Sequence, residues 1–327
     1  MSKREGFFRI FKSNIDLLTD YEADALTVCA YLVVACGTRG DNQTSTWSAE
    51  AVRKYAGCRP GTAKERIERL IELGLITLND EKSKQGRPIY TLRQGAGPDD
   101  VELWLPNALI TGPEGSKAPY PAALLREGGD ALRLRLLLDL YAGQSLLNHG
   151  GVDPSLIRAC VPGEVIGQKN GANVWLFESG SYEADPRLYH PHGGKEKAPP
   201  EFWDRFNALR SLGFIEEVFV LSESEEGEPL FAKGTSDEEV RHYRLLAEHA
   251  KKLAGRNPEK GWVFPVPQHI KHPSLEVILR MKHRPHTKVT AAWWGLLQEQ
   301  NEAYVRRFGL LQNETAVAKN PFADSPF

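Results

Sequence analysis

The sequence predicts a mainly α architecture with small β-hairpins, an α+β arrangement closed by a C-terminal helical region. Three observations predict it. Apolar residues recur at helical spacing through residues 22–73 and give way to a hairpin pattern over residues 75–92. A similar helix-then-strand unit returns at residues 200–222. Helical periodicity then resumes after Ser236. The chain has 327 residues, 41% of them hydrophobic, which is enough for roughly two domains with separate cores. A formal net charge of −2 and a pI near 6.5 exclude a polycation that coats nucleic acid indiscriminately. Any nucleic-acid role has to come from local charge segregation.

Residues 22–37 carry Ala25, Leu26, Val28, Ala30, Leu32, Val33 and Val34 in a near-continuous apolar run, a buried helix that Gly37 ends. A polar turn over residues 38–44 follows. Ser48 then caps a short helix over 49–55 that turns Ala51, Val52 and Tyr55 inward. The tight turn 57–61 leads to a third helix with Ala63, Ile67, Leu70 and Ile71 at i, i+4, i+7 and i+8, stopped by Gly74. Residues 75–78 read as a strand, 79–88 as a polar hairpin tip and 89–92 as the return strand. This order, with "AKERIERLIELGLITL" as third helix and first wing strand, resembles the winged helix-turn-helix family. The preceding "FFRIFKSNIDLLTDYEADALTVCAYLVV" is similar to the N-terminal approach of bacterial, phage and plasmid replication-initiation proteins and their regulatory relatives. The resemblance covers about the first third of the chain. It implies a DNA-binding domain over residues 1–95 that acts in replication initiation or transcription regulation of a bacterial genome or mobile element.

Placing Gly213 on Gly74 sets Phe206 on Ile67, Leu209 on Leu70, Phe214 on Leu75 and Ile215 on Ile76. With helices over 130–144 and 153–161, this predicts a second winged-helix-like domain over 126–235, interrupted by a Gly- and His-rich insertion at 162–198. The whole then reads as tandem winged-helix domains. Residues 96–125 read as a linker, although "VELWLPNALI" within it is apolar enough to pack. The C-terminal helical region spans 236–312. Ser236 and Glu239 form a capping box for its first helix, and a last helix over 290–308 turns Ala292, Trp293, Leu296 and Leu297 inward. Residues 313–327 lack periodicity and read as a disordered tail.

A recognition helix offers cations to phosphates and donors or acceptors to base edges, on the side away from its own core. In the third helix that side carries Thr62, Glu65, Glu68 and Arg69, flanked by Lys64 and Arg66. Residues 52–94 hold ten Lys or Arg against five acids, and the hairpin tip contributes Lys82, Lys84 and Arg87. The predicted double-stranded DNA contacts are therefore Thr62, Glu65 and Arg69 to bases, and Arg59, Lys64, Arg66, Lys82, Lys84 and Arg87 to phosphates. The second unit is opposite in sign, with eleven acids against five bases over residues 199–245. It is expected to avoid a duplex and to serve as a homodimer contact. Lys271, Arg280, Lys282, Arg284 and Lys288 add a weaker basic stretch, read as one solvated face of a helix.

Four scattered cysteines without a close pair fit a reducing cytoplasm, and no apolar run reaches the length of a membrane span. No P-loop and no G-x-S-x-G motif is present, so the chain is read as a non-enzyme without cofactor or metal. His190-Pro191-His192, near Tyr182 and Tyr189, resembles the metal site of rolling-circle nicking enzymes. Pro191 and the following glycines favour a loop instead. The tail "NPFADSPF" is similar to the tip with which single-stranded DNA-binding proteins dock partner proteins, without the usual run of acids before it. Two alternatives to DNA binding stand beside it: a protein–protein adaptor acting through the acidic unit, and a nicking enzyme dependent on His190 and His192.

Overall fold

In the computed structural model, described over residues 6–20, 23–38, 40–113, 119–178, 180–189, 197–225, 227–284 and 287–311, strands and helices are interspersed throughout the described residues. The elements begin with β1 (Phe7–Phe11), α1 (Lys12–Asp20), α2 (Ala25–Cys36), β2 (Thr44–Ser45), α3 (Ala49–Ala56), α4 (Pro60–Glu72), β3 (Ile76–Lys82) and β4 (Pro88–Leu92). Next come β5 (Glu102–Pro106), α5 (Ala108–Thr111), α6 (Pro121–Arg126), α7 (Ala131–Ala142), β6 (Ile157–Cys160), β7 (Gly163–Lys169), β8 (Ala172–Phe177) and β9 (Ser181–Ala184). The last are α8 (Pro200–Ser211), β10 (Ile215–Ser222), β11 (Pro229–Lys233), α9 (Asp237–Ala254), β12 (Trp262–Pro267), β13 (Ser274–Met281) and α10 (Lys288–Arg307). With 41% helix and 26% strand in five small sheets, the protein is α+β and not mainly α as the sequence predicts. The chain forms two units, one of residues 1–156, 184–216 and 280–287, the other of 157–183, 217–279 and 288–327.

The first unit is built on α2, where eleven of twelve residues are buried. Helices α3, α4, α6 and α7 all pack against it. Asp24 caps its start by accepting from the Thr27 amide at 2.8 Å. Strand β1 alternates as a half-buried strand should, Phe8 and Ile10 in and Phe7 out, and pairs antiparallel with β5. That pairing corrects the linker expected at 96–125. A lone strand leaves its main chain unpaired, and β5, α5 and α6 complete the layer with Leu103, Leu105, Leu109, Ile110 and Leu125 buried. Helices α1 and α7 are joined by Lys12–Asp139 at 3.1 Å and Arg135–Asp16 at 3.0 Å.

The expected repeat over 126–235 is corrected as well, since its residues 126–156 and 184–216 belong to the first unit and the rest to the second. Residues 153–161, read as a helix, form a turn and then β6, and the expected insertion supplies β7, β8 and β9. Under the Gly74–Gly213 alignment, Asn79-Asp80-Glu81-Lys82 of β3 meets Val218-Phe219-Val220-Leu221 of β10. A polar run suits a hairpin in solvent, whereas a continuous apolar run suits a strand covered on both faces. Accordingly β10 is the middle strand of the β11-β10-β13 sheet. Its Phe219 and Leu221 join Phe231, Leu246, Phe264 and Tyr304 on one side. Its Val218 and Val220 meet Ile278 and Leu297 on the other. The second sheet, β12-β8-β7, packs Val174, Leu176 and Val263 against Ala250 of α9.

Residues 236–312 are likewise not a helical region, because β12 and β13 lie between α9 and α10. The capping box at Ser236 and Glu239 does form. The basic stretch read as a helix face is not one: Arg280 lies in β13, buried and paired with Glu216 at 3.0 Å, and Lys288 opens α10. In α10, Leu297 faces inward with Asn301, Tyr304 and Val305, while Leu296 is 63% exposed. Asn301 satisfies the edge of β11, accepting from the Ala232 amide at 2.7 Å and donating to its carbonyl at 2.8 Å.

Two predictions follow from this packing. Leu221→Ala should cost about 2–5 kcal/mol by chemical denaturation, whereas Leu78→Ala, in the exposed hairpin, should stay within about 0.5 kcal/mol. Burial also holds the imidazoles of His149 and His242 below the usual histidine range of 6.5, and His149 Nδ1 accepts from the Gly151 amide at 2.9 Å. A depressed folded pKa means stability that is full above 6.5 and declines as the pH falls below it. The thermal midpoint should therefore drop on mild acidification, and less steeply in His149→Asn; a flat midpoint would contradict the assignment.

Candidate nucleic-acid interface

Helix α4 forms because Pro60 fits its first position and Ala63, Ile67 and Leu70 bury one stripe. Ile71, expected inside, is exposed. The helix stops at Gly74, whose φ of +67° lets the Leu75 amide turn back to the Leu70 carbonyl at 3.0 Å. The start of β3 continues from this turn, so the inward stripe of α4 fixes which residues face out. Arg59, Lys64, Glu65 and Arg69 are exposed, and Thr62 and Arg66 are half-buried.

The outward cations of α4 are matched by carboxylates. Arg66 pairs with Asp24 at 2.9 Å, Arg69 with Glu72 at 3.1 Å and Lys64 lies 3.7 Å from Glu68. Asp24, the cap of α2, is a site residue that the sequence pattern does not single out, because it is 42 positions away from Arg66. A shallow groove between α2 and α4 brings Asp24, Glu65, Glu68 and Glu72 together with Arg66 and Arg69, four acids around two bases. This differs from the cationic helix surface that the sequence predicts.

The β3–β4 hairpin is different. Strand β4 pairs with β3 on one side and with β2 on the other, so β2-β4-β3 is one antiparallel sheet. Strand β3 runs further than expected, to Lys82, and the turn occupies residues 83–87. Its loop is a β-turn followed by a left-handed glycine: the Gly86 amide donates to Ser83 O at 2.8 Å, and Gly86 has φ +73°. Ser83 closes the loop, with its amide on Arg87 O at 2.9 Å and its Oγ accepting from the Arg87 amide at 3.0 Å. Lys82, Lys84 and Arg87 are exposed and line one cleft with Ser83, Thr46 and Ile89. None of these three cations has a carboxylate partner among the described residues. The structure thus places Glu65, Arg66 and Arg69 in the α4 groove and Lys82, Lys84 and Arg87 in the hairpin cleft, while Arg59, Thr62 and Lys64 line neither. Thr46 joins the hairpin cleft only through the β2–β4 pairing.

The acidic counterpart lies at the β10–β11 turn, where Glu223, Glu225 and Glu228 are exposed. Most of β10 itself is buried, while Glu201 and Asp204 of α8 and Asp237 and Glu238 of α9 are exposed as well. Among the described residues no group of three or more His, Cys, Asp or Glu could hold a metal, and no helix is long and apolar enough to cross a membrane. His190 and His192 lie outside the described residues, as do residues 313–327. Of the tyrosines nearby in sequence, the Tyr182 hydroxyl bonds to Glu217 and Tyr189 packs on Phe202.

The double duty of Asp24 is measurable. Asp24→Ala removes both the α2 cap and the partner of Arg66 and should cost about 1 kcal/mol, while Asp24→Asn keeps a cap acceptor and should cost clearly less. No protein-family model, curated protein or solved structure matches the chain, so the functional reading rests on these residues themselves.

Proposed function

We propose that the chain is a sequence-specific double-stranded DNA-binding protein that uses α4 and the β3–β4 hairpin of its first unit. The observation that carries this reading is the hairpin tip, where three exposed cations share one cleft without a carboxylate partner among the described residues. A duplex presents a dense line of phosphates, and unpaired cations on a projecting loop are suited to its backbone. The exposed α4 residues Glu65 and Arg69, with half-buried Thr62, supply an acceptor, a bidentate donor and a hydroxyl for base edges. Replication initiation or transcription control of a bacterial genome or mobile element is the role that fits the resemblance of residues 7–34. Four cysteines without disulfides suit a cytoplasmic location.

A protein-binding surface on the second unit is favoured by the exposed Glu223, Glu225 and Glu228, which would be repelled by phosphate. It is compatible with DNA binding by the first unit.

Purified protein should retard duplex DNA in a mobility-shift assay at low salt, and less so at moderate salt. Reversing Lys82, Lys84 and Arg87 to Glu together should abolish most of the shift. An unshifted duplex with the wild-type chain would refute the reading.

A further inference from the structure

We propose that the cleft between the hairpin tip and Thr46 is a phosphate clasp that supplies the ionic part of duplex binding, while α4 supplies none of it. This rests on the DNA-binding reading and assigns its electrostatics to one element. Helix α4 carries Lys64, Arg66 and Arg69 against Glu65, Glu68 and Glu72, so its own charge is zero. Exposed pairs such as Arg69–Glu72 are weak and can open toward a phosphate. Opening them does not change the sum, because each freed cation leaves a carboxylate beside the same phosphate. With Asp24, the groove along α4 is net negative, four acids to two bases. Counterion release therefore gains nothing from laying this helix in a groove.

The cleft has the opposite composition. Its wall holds Lys82, Lys84 and Arg87, with the Ser83 and Thr46 hydroxyls and the Gln85 amide as neutral hydrogen-bonding groups and Ile89 as an apolar contact. Asp80 and Glu81 precede it in β3 but do not line it. Its two sides are held together by the fold. Thr44 and Ser45 pair with Thr91 and Tyr90 of β4, and Ser45 Oγ donates to Val34 O of α2 at 2.6 Å. The bonds of Ser83 and the left-handed Gly86 hold the tip itself. A cleft so anchored loses little freedom on meeting a backbone phosphate. Cations that engage the backbone fix position and affinity without reading sequence. The inferred division of labour is that the hairpin sets affinity for any duplex and α4 sets preference among duplexes.

The test compares two full-length variants by the slope of log affinity against log salt, on a random-sequence duplex and on the best duplex selected from a random pool. One variant removes the hairpin charges (Lys82→Gln, Lys84→Gln, Arg87→Gln). The other removes four α4 charges without changing the sum (Lys64→Gln, Glu68→Gln, Arg69→Gln, Glu72→Gln). The hairpin variant should lose about 0.9 from the magnitude of the slope for each cation that meets a phosphate, equally on both duplexes. The α4 variant should keep the slope and lose preference for the selected duplex. Circular dichroism melts confirm that both remain folded. A slope that falls in the α4 variant and holds in the hairpin variant would overturn the clasp with DNA binding intact. A wild-type chain that binds neither duplex would overturn the underlying reading as well.

Discussion

Helix α2 has no face left for water, since eleven of its twelve residues are buried, and the first unit is arranged around that fact. An all-apolar helix is stable only when other elements cover it on every side. Helices α3, α4, α6 and α7 do this, and each must spend its own apolar stripe on the contact. For α4 the stripe is Ala63, Ile67 and Leu70, which leaves only its charged side for solvent. Each large side chain buried on α2 contributes roughly 1.5–3 kcal/mol, so the orientation of α4 is held far more firmly than any surface ion pair could hold it.

The charges then follow from geometry. The same turn of α2 that needs a cap places Asp24 against Arg66, so one carboxylate both satisfies the Thr27 amide and neutralises a cation on α4. The hairpin lies beyond the reach of this arrangement. It projects from a three-stranded sheet, its tip is closed by Ser83 and Gly86, and its cations share a cleft with Ser83 and Thr46 rather than with acids. Two adjacent stretches of similar composition therefore carry different electrostatics. One is a neutral lattice of alternating sign and the other a small concentrated positive field.

The expected repeat shows how far local likeness can mislead. Residues 200–217 repeat the helix–glycine–strand rhythm of residues 61–78 and fold locally in the same way, with Gly74 and Gly213 both left-handed. The resemblance ends at the next four residues. Val218 to Leu221 are apolar on both sides of the strand, and two hydrophobic clusters close over them. That run was legible as a covered strand, because a wing exposed to water does not alternate Val and Phe without a polar residue. What was not legible was the cover: β13 and α10 come from more than fifty residues away, and local periodicity carries no record of such pairings.

By itself the sequence determined local elements: the presence and order of α2, α3, α4 and the hairpin, and the capping box of α9. These depend on propensity, capping and period, which act within a few residues. It also determined that Lys82, Lys84 and Arg87 sit together at one hairpin tip. Only the tertiary structure decided that β5 completes β1, that β10 is a buried centre strand, and that Asp24 meets Arg66 while Thr46 meets the hairpin cleft. Those outcomes join residues far apart in the chain. They are selected by which apolar faces and unpaired main-chain groups find cover together, a condition that no short window of sequence contains.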